Sequence, residues 1–267
     1  MNKLLKSVWI AAALSVPMMA NADWSIIGLG NLGGNYSVAT DINDFGQVVG
    51  TSYNSAGNSI AFITGENGIG ISSLGTLGGR SSSATAINNF GQVVGSSQIS
   101  DGNTHAFITG INGNTMTDMG LSINSTFSYA TDINDSGQIV GAFLTPEHTL
   151  HSFISTPTSD FIDLGTPGLS SDARGINNSG QVITSSEVHG TFENHIFLSD
   201  SNGNNLIDLG TLGGRSSSGT DINSFGQVVG GSKTANSGNA NHAFLTDANG
   251  TNMIDLGTTI SEPGHEY

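Results

Sequence analysis

The side chains able to do chemistry recur at regular intervals along this chain. Histidine stands at His105, His151, His195 and His242, and an aspartate two residues before a glycine stands at Asp118, Asp163, Asp208 and Asp255. Imidazole and carboxylate groups bind metals and carry protons near neutral pH. A shared metal would require every repeat to aim its histidine at one point. For both columns the simpler expectation is a hydrogen bond to a neighbouring repeat.

A second carboxylate-bearing pattern, DINDFGQVVG at 41–50, returns in near copies from 86, 132, 175 and 221. Asp-x-Asn-Asp-x-Gly resembles a calcium loop. An EF-type loop needs an oxygen ligand at its fifth place and glutamate at its twelfth. Those places hold Phe45 and Ser52 in the first copy, and Ser136 and Phe143 in the third. The pattern therefore predicts a hairpin turn, with glycine at a left-handed position. Asn43, Asn88, Asn134, Asn177 and Asn223 are placed to cap the backbone amides that follow them. The glycines of G-x-G-x-x-G at 28–33 precede NYSVATDIN, which reads as a strand. A dinucleotide fingerprint needs a helix there, so no cofactor is expected.

Chemistry that differs between repeats is a better sign of a site. Pro146-Glu147-His148 and Glu187-Val188-His189, with Glu193 close by, replace neutral loops in two copies. Carboxylate and imidazole together suit general acid–base work, but no G-x-S-x-G nucleophile turn accompanies them. The stretch TLGGRSSS occurs word for word at 76–83 and 211–218 and brings Arg80 and Arg215 into a hydroxyl-rich setting. The candidate ligand-binding residues are Arg80, Arg215, Glu147 and His148. No catalytic, cofactor-binding or metal-binding residue is assigned.

The elements that must position these groups emerge from composition and period. Residues 1–22 carry Lys3 and Lys6, then an apolar run from Val8 to Ala20, then Ala20-Asn21-Ala22, which is the pattern of a secretory signal peptide cut before Asp23. The run is too short, and too broken by Ser15 and Pro17, to span a bilayer. Residues 23–267 are expected to form a single repeat domain, with an array cut off in its sixth unit at Tyr267 as the competing expectation. Cysteine is absent, so neither a disulfide nor a thiolate metal site contributes. Asp and Glu number 21 against 6 Lys and Arg, for a formal charge of −15, which argues against nucleic acid and anionic membranes as partners.

The Ile-Asn pairs begin at Ile42, Ile87, Ile133, Ile176 and Ile222, spaced by 45, 46, 43 and 46 residues. Each period holds four short segments rich in β-branched and aromatic residues, divided by Gly, Asn, Asp and Ser. The second segment carries paired apolar residues (Val48-Val49, Val93-Val94, Ile139-Val140, Val182-Ile183, Val228-Val229), which marks strands covered on both faces. The expected fold is all-β: a β-propeller of about five four-stranded blades built from repeats of about 45 residues. An open β-repeat array or solenoid is the alternative. The Leu-Gly strand occurs six times against five of the others, so a closed five-bladed ring with one spare strand is expected.

The triplets His105-Ala106-Phe107 and His242-Ala243-Phe244, with ATDIN, GQVVG and DLGTLGG, resemble the extracellular repeats of the HAF family. The resemblance covers essentially the whole chain after residue 22. The triplet varies at Ile60-Ala61-Phe62, His151-Ser152-Phe153 and His195-Ile196-Phe197. It implies export to the periplasm or beyond the cell, and carries no catalytic residues across. The function expected is non-catalytic binding or interaction, with a glycan or protein as partner. A glycan-active enzyme, needing unlike residues to converge from several repeats, and a structural surface or matrix component are the rivals.

Overall fold

The computed structural model describes residues 26–120, 125–155, 161–165, 170–191, 193–201, 203–235 and 240–257. The expected leader and its cleavage point lie outside these residues. Five four-stranded antiparallel sheets follow one another, each a simple meander of consecutive strands. Blade 1 contains β1 (Gly33–Ile42), β2 (Val48–Asn54), β3 (Ser59–Thr64) and β4 (Ile71–Gly75). Blade 2 contains β5 (Gly78–Ile87), β6 (Val93–Ile99), β7 (Thr104–Thr109) and β8 (Met116–Asp118). Blade 3 comprises β9 (Ser128–Ile133), β10 (Ile139–Leu144), β11 (Leu150–Ser155) and β12 (Phe161–Asp163). Blade 4 comprises β13 (Ser171–Ile176), β14 (Val182–Glu187), β15 (Asn194–Leu198) and β16 (Ile207–Asp208). Blade 5 comprises β17 (Gly213–Ile222), β18 (Val228–Thr234), β19 (Asn241–Thr246) and β20 (Met253–Gly257). The fold is a β-propeller. Each Leu-Gly strand closes the blade that precedes it in sequence.

The DINDFGQ stretch forms the turn between the first two strands. In blade 1 the Asn43 N–H donates to Gln47 O at 3.1 Å and Gly46 N–H donates back to Asn43 O at 2.9 Å. The Asn43 side-chain oxygen accepts from Phe45 N–H (3.1 Å) and Gln47 N–H (3.0 Å). The glycine of each turn is left-handed, with φ of 76° at Gly137. This is the capped turn read from the sequence.

The paired apolar residues divide between the two faces of a blade. Val49, Ala61 and Ile63 of blade 1 pack with Ala84, Ile87, Val93 and Phe107 of blade 2. Val94 and Ala106 then meet Ala130, Ile139 and Phe153 of blade 3. Val140 and Ile154 meet Ala173 and Val182 of blade 4, and Ile183 and Ile196 meet Val228 and Phe244 of blade 5. Side-chain amides reinforce these junctions. The Nδ2 of Asn43, Asn88, Asn134 and Asn177 donates in turn to the backbone oxygen of Asn88, Asn134, Asn177 and Asn223, at 3.0–3.2 Å.

Four junctions thus bind five blades, and among the described residues no core cluster binds blade 5 to blade 1. Ile42 is 62% exposed, whereas its counterparts in the other four blades are at most 7% exposed. Val229 is 38% exposed, whereas Val49, Val94, Val140 and Ile183 are wholly buried. Asn223 is exposed and turns its amide to its own Gln227 (2.9 Å). The expected closed ring with a spare strand is therefore corrected to an open fan. Blade 5 is completed by its own β20, so the surplus segment is the first Leu-Gly stretch, Ile26 to Gly30.

Candidate functional site

Each turn between a blade's first two strands faces the propeller axis. The residue after the capping asparagine is Asp44, Asn89, Asp135, Asn178 and Ser224 in blades 1 to 5, and all five line one axial cavity of about 300 Å³. These side chains form a girdle. Asn89 Oδ1 accepts from the Asp44 N–H (3.0 Å), and Asn89 Nδ2 donates to the carboxylates of Asp44 (2.9 Å) and Asp135 (3.2 Å). Asp135 also accepts from the Asn89 N–H (2.9 Å) and from Asn178 Nδ2 (3.1 Å), while its own N–H donates to Asn178 Oδ1 (2.9 Å). Alternation of carboxylate and amide gives each donor an acceptor and avoids facing charges.

The same turns carry exposed aromatic rings at their tips. Phe45, Phe90 and Phe225, at the tips of the turns in blades 1, 2 and 5, are 54%, 55% and 72% exposed. Phe90 also lines a deeper groove of about 460 Å³ between blades 2 and 3, where Met119 and Ile139 supply an apolar wall beside Asp118 and Asp135. Asp135 lines both the mouth and the groove.

Below the mouth, one residue before the lining isoleucines, stand Asp41, Asp132 and Asp221. Asp132 accepts from the N–H of Ile133 (2.8 Å) and across the junction from Ile176 (2.8 Å), and Asp41 accepts likewise from Ile42 (2.8 Å) and Ile87 (2.9 Å). Burial pushes the Asp132 carboxyl up to about 7, against the pull of those two N–H donors, and the Asp41 and Asp221 charges push it further. Burial likewise raises the Asp41 carboxyl.

The sequence-nominated residues lie elsewhere. Glu147 and His148 form the exposed turn between β10 and β11, at the end of the blade opposite the axial turns. His148 is left-handed (φ 62°) and its N–H donates to Thr145 O at 3.0 Å, which is the turn role that Gly57 and Gly102 fill in blades 1 and 2. Arg80 opens β5 at the same end and lines a groove of about 430 Å³ with Asn54, Asn58 and Thr76. Arg215, its counterpart in blade 5, is 85% exposed, with Nε 3.9 Å from Glu193. The four residues share one face of the propeller on three different blades and do not converge.

The two recurrent columns are partners of each other. His105, His151, His195 and His242 each place Nδ1 2.9 Å from the carboxylate of Asp118, Asp163, Asp208 and Asp255. These pairs join the third and fourth strands of one blade, which corrects the expected contact between neighbouring repeats. In blade 1 both partners are replaced together, by Ile60 and Ser73. The axial girdle went unread, although its signal was present: the residue after each capping asparagine alternates between Asp and Asn.

No family model and no curated protein matches this chain. Solved structures do resemble it. TolB from Acinetobacter baumannii is similar with a TM-score of 0.56 and 13% identity, over 80% of this chain and 53% of that one. This chain thus spans about half the length of that protein. A putative TolB from Agrobacterium tumefaciens gives a TM-score of 0.60 at 13% identity, over 83% and 80% of the two chains. The β-propeller domain of the Trilobed protease from Pyrococcus furiosus, described as having an open velcro topology, gives 0.56 at 14% identity over 84% and 69%. At such identities the likeness establishes the β-propeller fold.

Proposed function

We propose that this protein is an exported, non-catalytic binding module that takes a neutral, hydroxyl-rich ligand, a glycan chain, at the axial mouth. The observation that carries this reading is the girdle of Asp44, Asn89, Asp135, Asn178 and Ser224 around the axial cavity, with the exposed rings of Phe45, Phe90 and Phe225 on the same turns. Carboxylates accept from hydroxyl groups, side-chain amides both accept from and donate to them, and aromatic rings stack on the apolar faces of sugars. The acidity of the chain disfavours an anionic ligand. Export rests on the leader at residues 1–22 and on the resemblance to HAF repeats. Among the described residues, no helix is long and apolar enough to cross a membrane. A second reading places a polar ligand on the opposite face, in the groove where Arg80 stands with Asn54, Asn58 and Thr76, with Arg215, Glu147 and His148 presenting further polar groups on that face.

A glycan panel titrated calorimetrically against the mature protein tests both readings. Ser224→Trp should block the axial mouth and abolish binding at an unchanged Tm, while Arg80→Ala should leave binding intact. The reverse result would move the site to the opposite face. Turnover of a bound glycan would replace the module with an enzyme. Mass spectrometry of the exported chain should find its first residue at Asp23, and a retained Met1 would remove the case for export.

A further inference from the structure

The open junction carries an instruction about what should fill it. At three of the four junctions, the leucine near the outer strand lies against a left-handed glycine of the next blade. A Cβ at Gly113, Gly203 or Gly250 would stand 2.7–2.8 Å from Cδ2 of Leu74, Leu164 or Leu209. Leu29, in the first Leu-Gly segment, holds the same relation to Gly68 of blade 1, at 3.0 Å. The Gly30 oxygen accepts from the Ser37 hydroxyl at 3.2 Å, as Gly75 accepts from Ser82 (2.6 Å) and Gly210 from Ser217 (2.7 Å). Ile26 to Gly30 therefore sits where the outer strand of a blade preceding blade 1 belongs, yet no inner strands of such a blade stand beside it among the described residues.

The two faces that would flank those strands are bare. Blade 1 exposes Val38, Ala39 and Ile42, although Ala84, Ala130 and Ala173 are wholly buried in the equivalent place. Blade 5 exposes Val229, Ala243 and Leu256. The polar links also stop here. Among the described residues, Asn223 meets no carbonyl of a following blade and the N–H of Ala243 donates to no serine hydroxyl, whereas the N–H of Ala61 donates to Ser82 and that of Ala106 to Ser128, both at 2.9 Å.

We propose that the sector between blade 5 and blade 1 is a docking site for a three-stranded unit of this same repeat, with Ile26 to Gly30 supplying the fourth strand. The occupant carries a small residue and Ile-Asn on its first strand, paired apolar residues on its second and Ala-Phe on its third. Those features fill the complementary places at the four junctions already formed. The proposal continues an interface that the molecule builds four times over. A complete blade of a second copy fits less well, because its own outer strand would compete with Ile26 to Gly30 for one position.

The test uses the protein and a synthetic peptide of residues 78–109, the three inner strands of blade 2. Saturable one-to-one binding is expected, with a rise in Tm of about 5–10 °C at a hundredfold excess over Kd and slowed amide exchange at Ile42 and Val229. A peptide carrying Val93→Asp and Val94→Asp should not bind. Leu29→Asp in the protein should weaken capture at least tenfold, because the fourth strand loses its anchor. The same segment fused behind residue 267 through a glycine-serine linker keeps the question answerable if the free peptide precipitates: Tm and exchange protection should rise together. Unchanged Tm and exchange with both peptide and fusion would overturn the proposal. So would self-association of the protein alone that protects Ile42 and Val229, which would make a second copy the occupant.

Discussion

At the residue scale, two positions convert the description into measurable energies. Gly137 is held at φ 76° in its turn, where a β-branched side chain clashes with its own backbone. Gly137→Val should destabilise the protein by about 1–3 kcal/mol, read from thermal or urea melts. Asp132 is the second. Its carboxyl is raised from an ordinary 3.8 to about 7, chiefly by burial. The folded form therefore holds a proton that the unfolded chain has released. This contribution to stability is fully present below pH 3.8 and is lost as pH climbs to about 7. The Tm of the native protein should fall between about pH 4 and pH 7, and Asp132→Asn should shrink that fall. An equal fall in the variant would show that Asp132 ionises normally.

At the element scale, the blades are held by two devices of unequal weight. The His–Asp clips between third and fourth strands lie at the surface, where solvent screening leaves such pairs little weight. His195→Ala and Asp208→Ala combined should cost little more than either alone, as a double-mutant cycle would show. The hydrogen bond from His242 holds the Asp255 carboxyl below its ordinary value, aided by Gly257 N–H. That clip strengthens the fold above the unfolded carboxylate's titration and is lost as pH falls through the folded one. The asparagine links weigh more because they are buried. Asn134 joins Gln138 (2.7 Å) and the next blade's Asn177 O (3.0 Å) while accepting from Gln138 N–H (3.0 Å). Asn134→Ala should cost about 1–3 kcal/mol in denaturant, and the exposed Asn223→Ala distinctly less. What was legible in the sequence follows from this local regularity. Strands, turns, blade length and the two-faced burial of paired valines are patterns within about ten neighbouring residues. The partner of His105 was not legible because it depends on the register of β7 against β8. The axial girdle depends on which turn residues five blades bring to one axis, and the open junction on the angle accumulated over four interfaces.

At the scale of the whole molecule, each blade is made of consecutive residues, and among the described residues every core cluster joins blades adjacent in sequence. Stability in such an array is close to a sum of blade and junction contributions. Blades 2, 3 and 4 are each clasped on two faces, blades 1 and 5 on one. Native-state amide exchange should therefore be slowest in the middle strands of blade 3 and fastest at the two ends. Uniform protection across all five blades would show that the molecule opens as a single unit instead.

The row of asparagine links between blades has a further consequence. Every amide in it points from the lower-numbered blade to the higher, so the row has one direction along the molecule. Its two ends differ chemically: among the described residues, the carbonyl oxygen of Asn43 in blade 1 accepts only within its own turn, from Gly46 N–H, and the side-chain amide of Asn223 in blade 5 donates only to its own Gln227. The molecule thus has a head and a tail even though its blades are near copies. Any unit joined at either end is accepted in one sense only, since reversing it would set amide against amide and oxygen against oxygen.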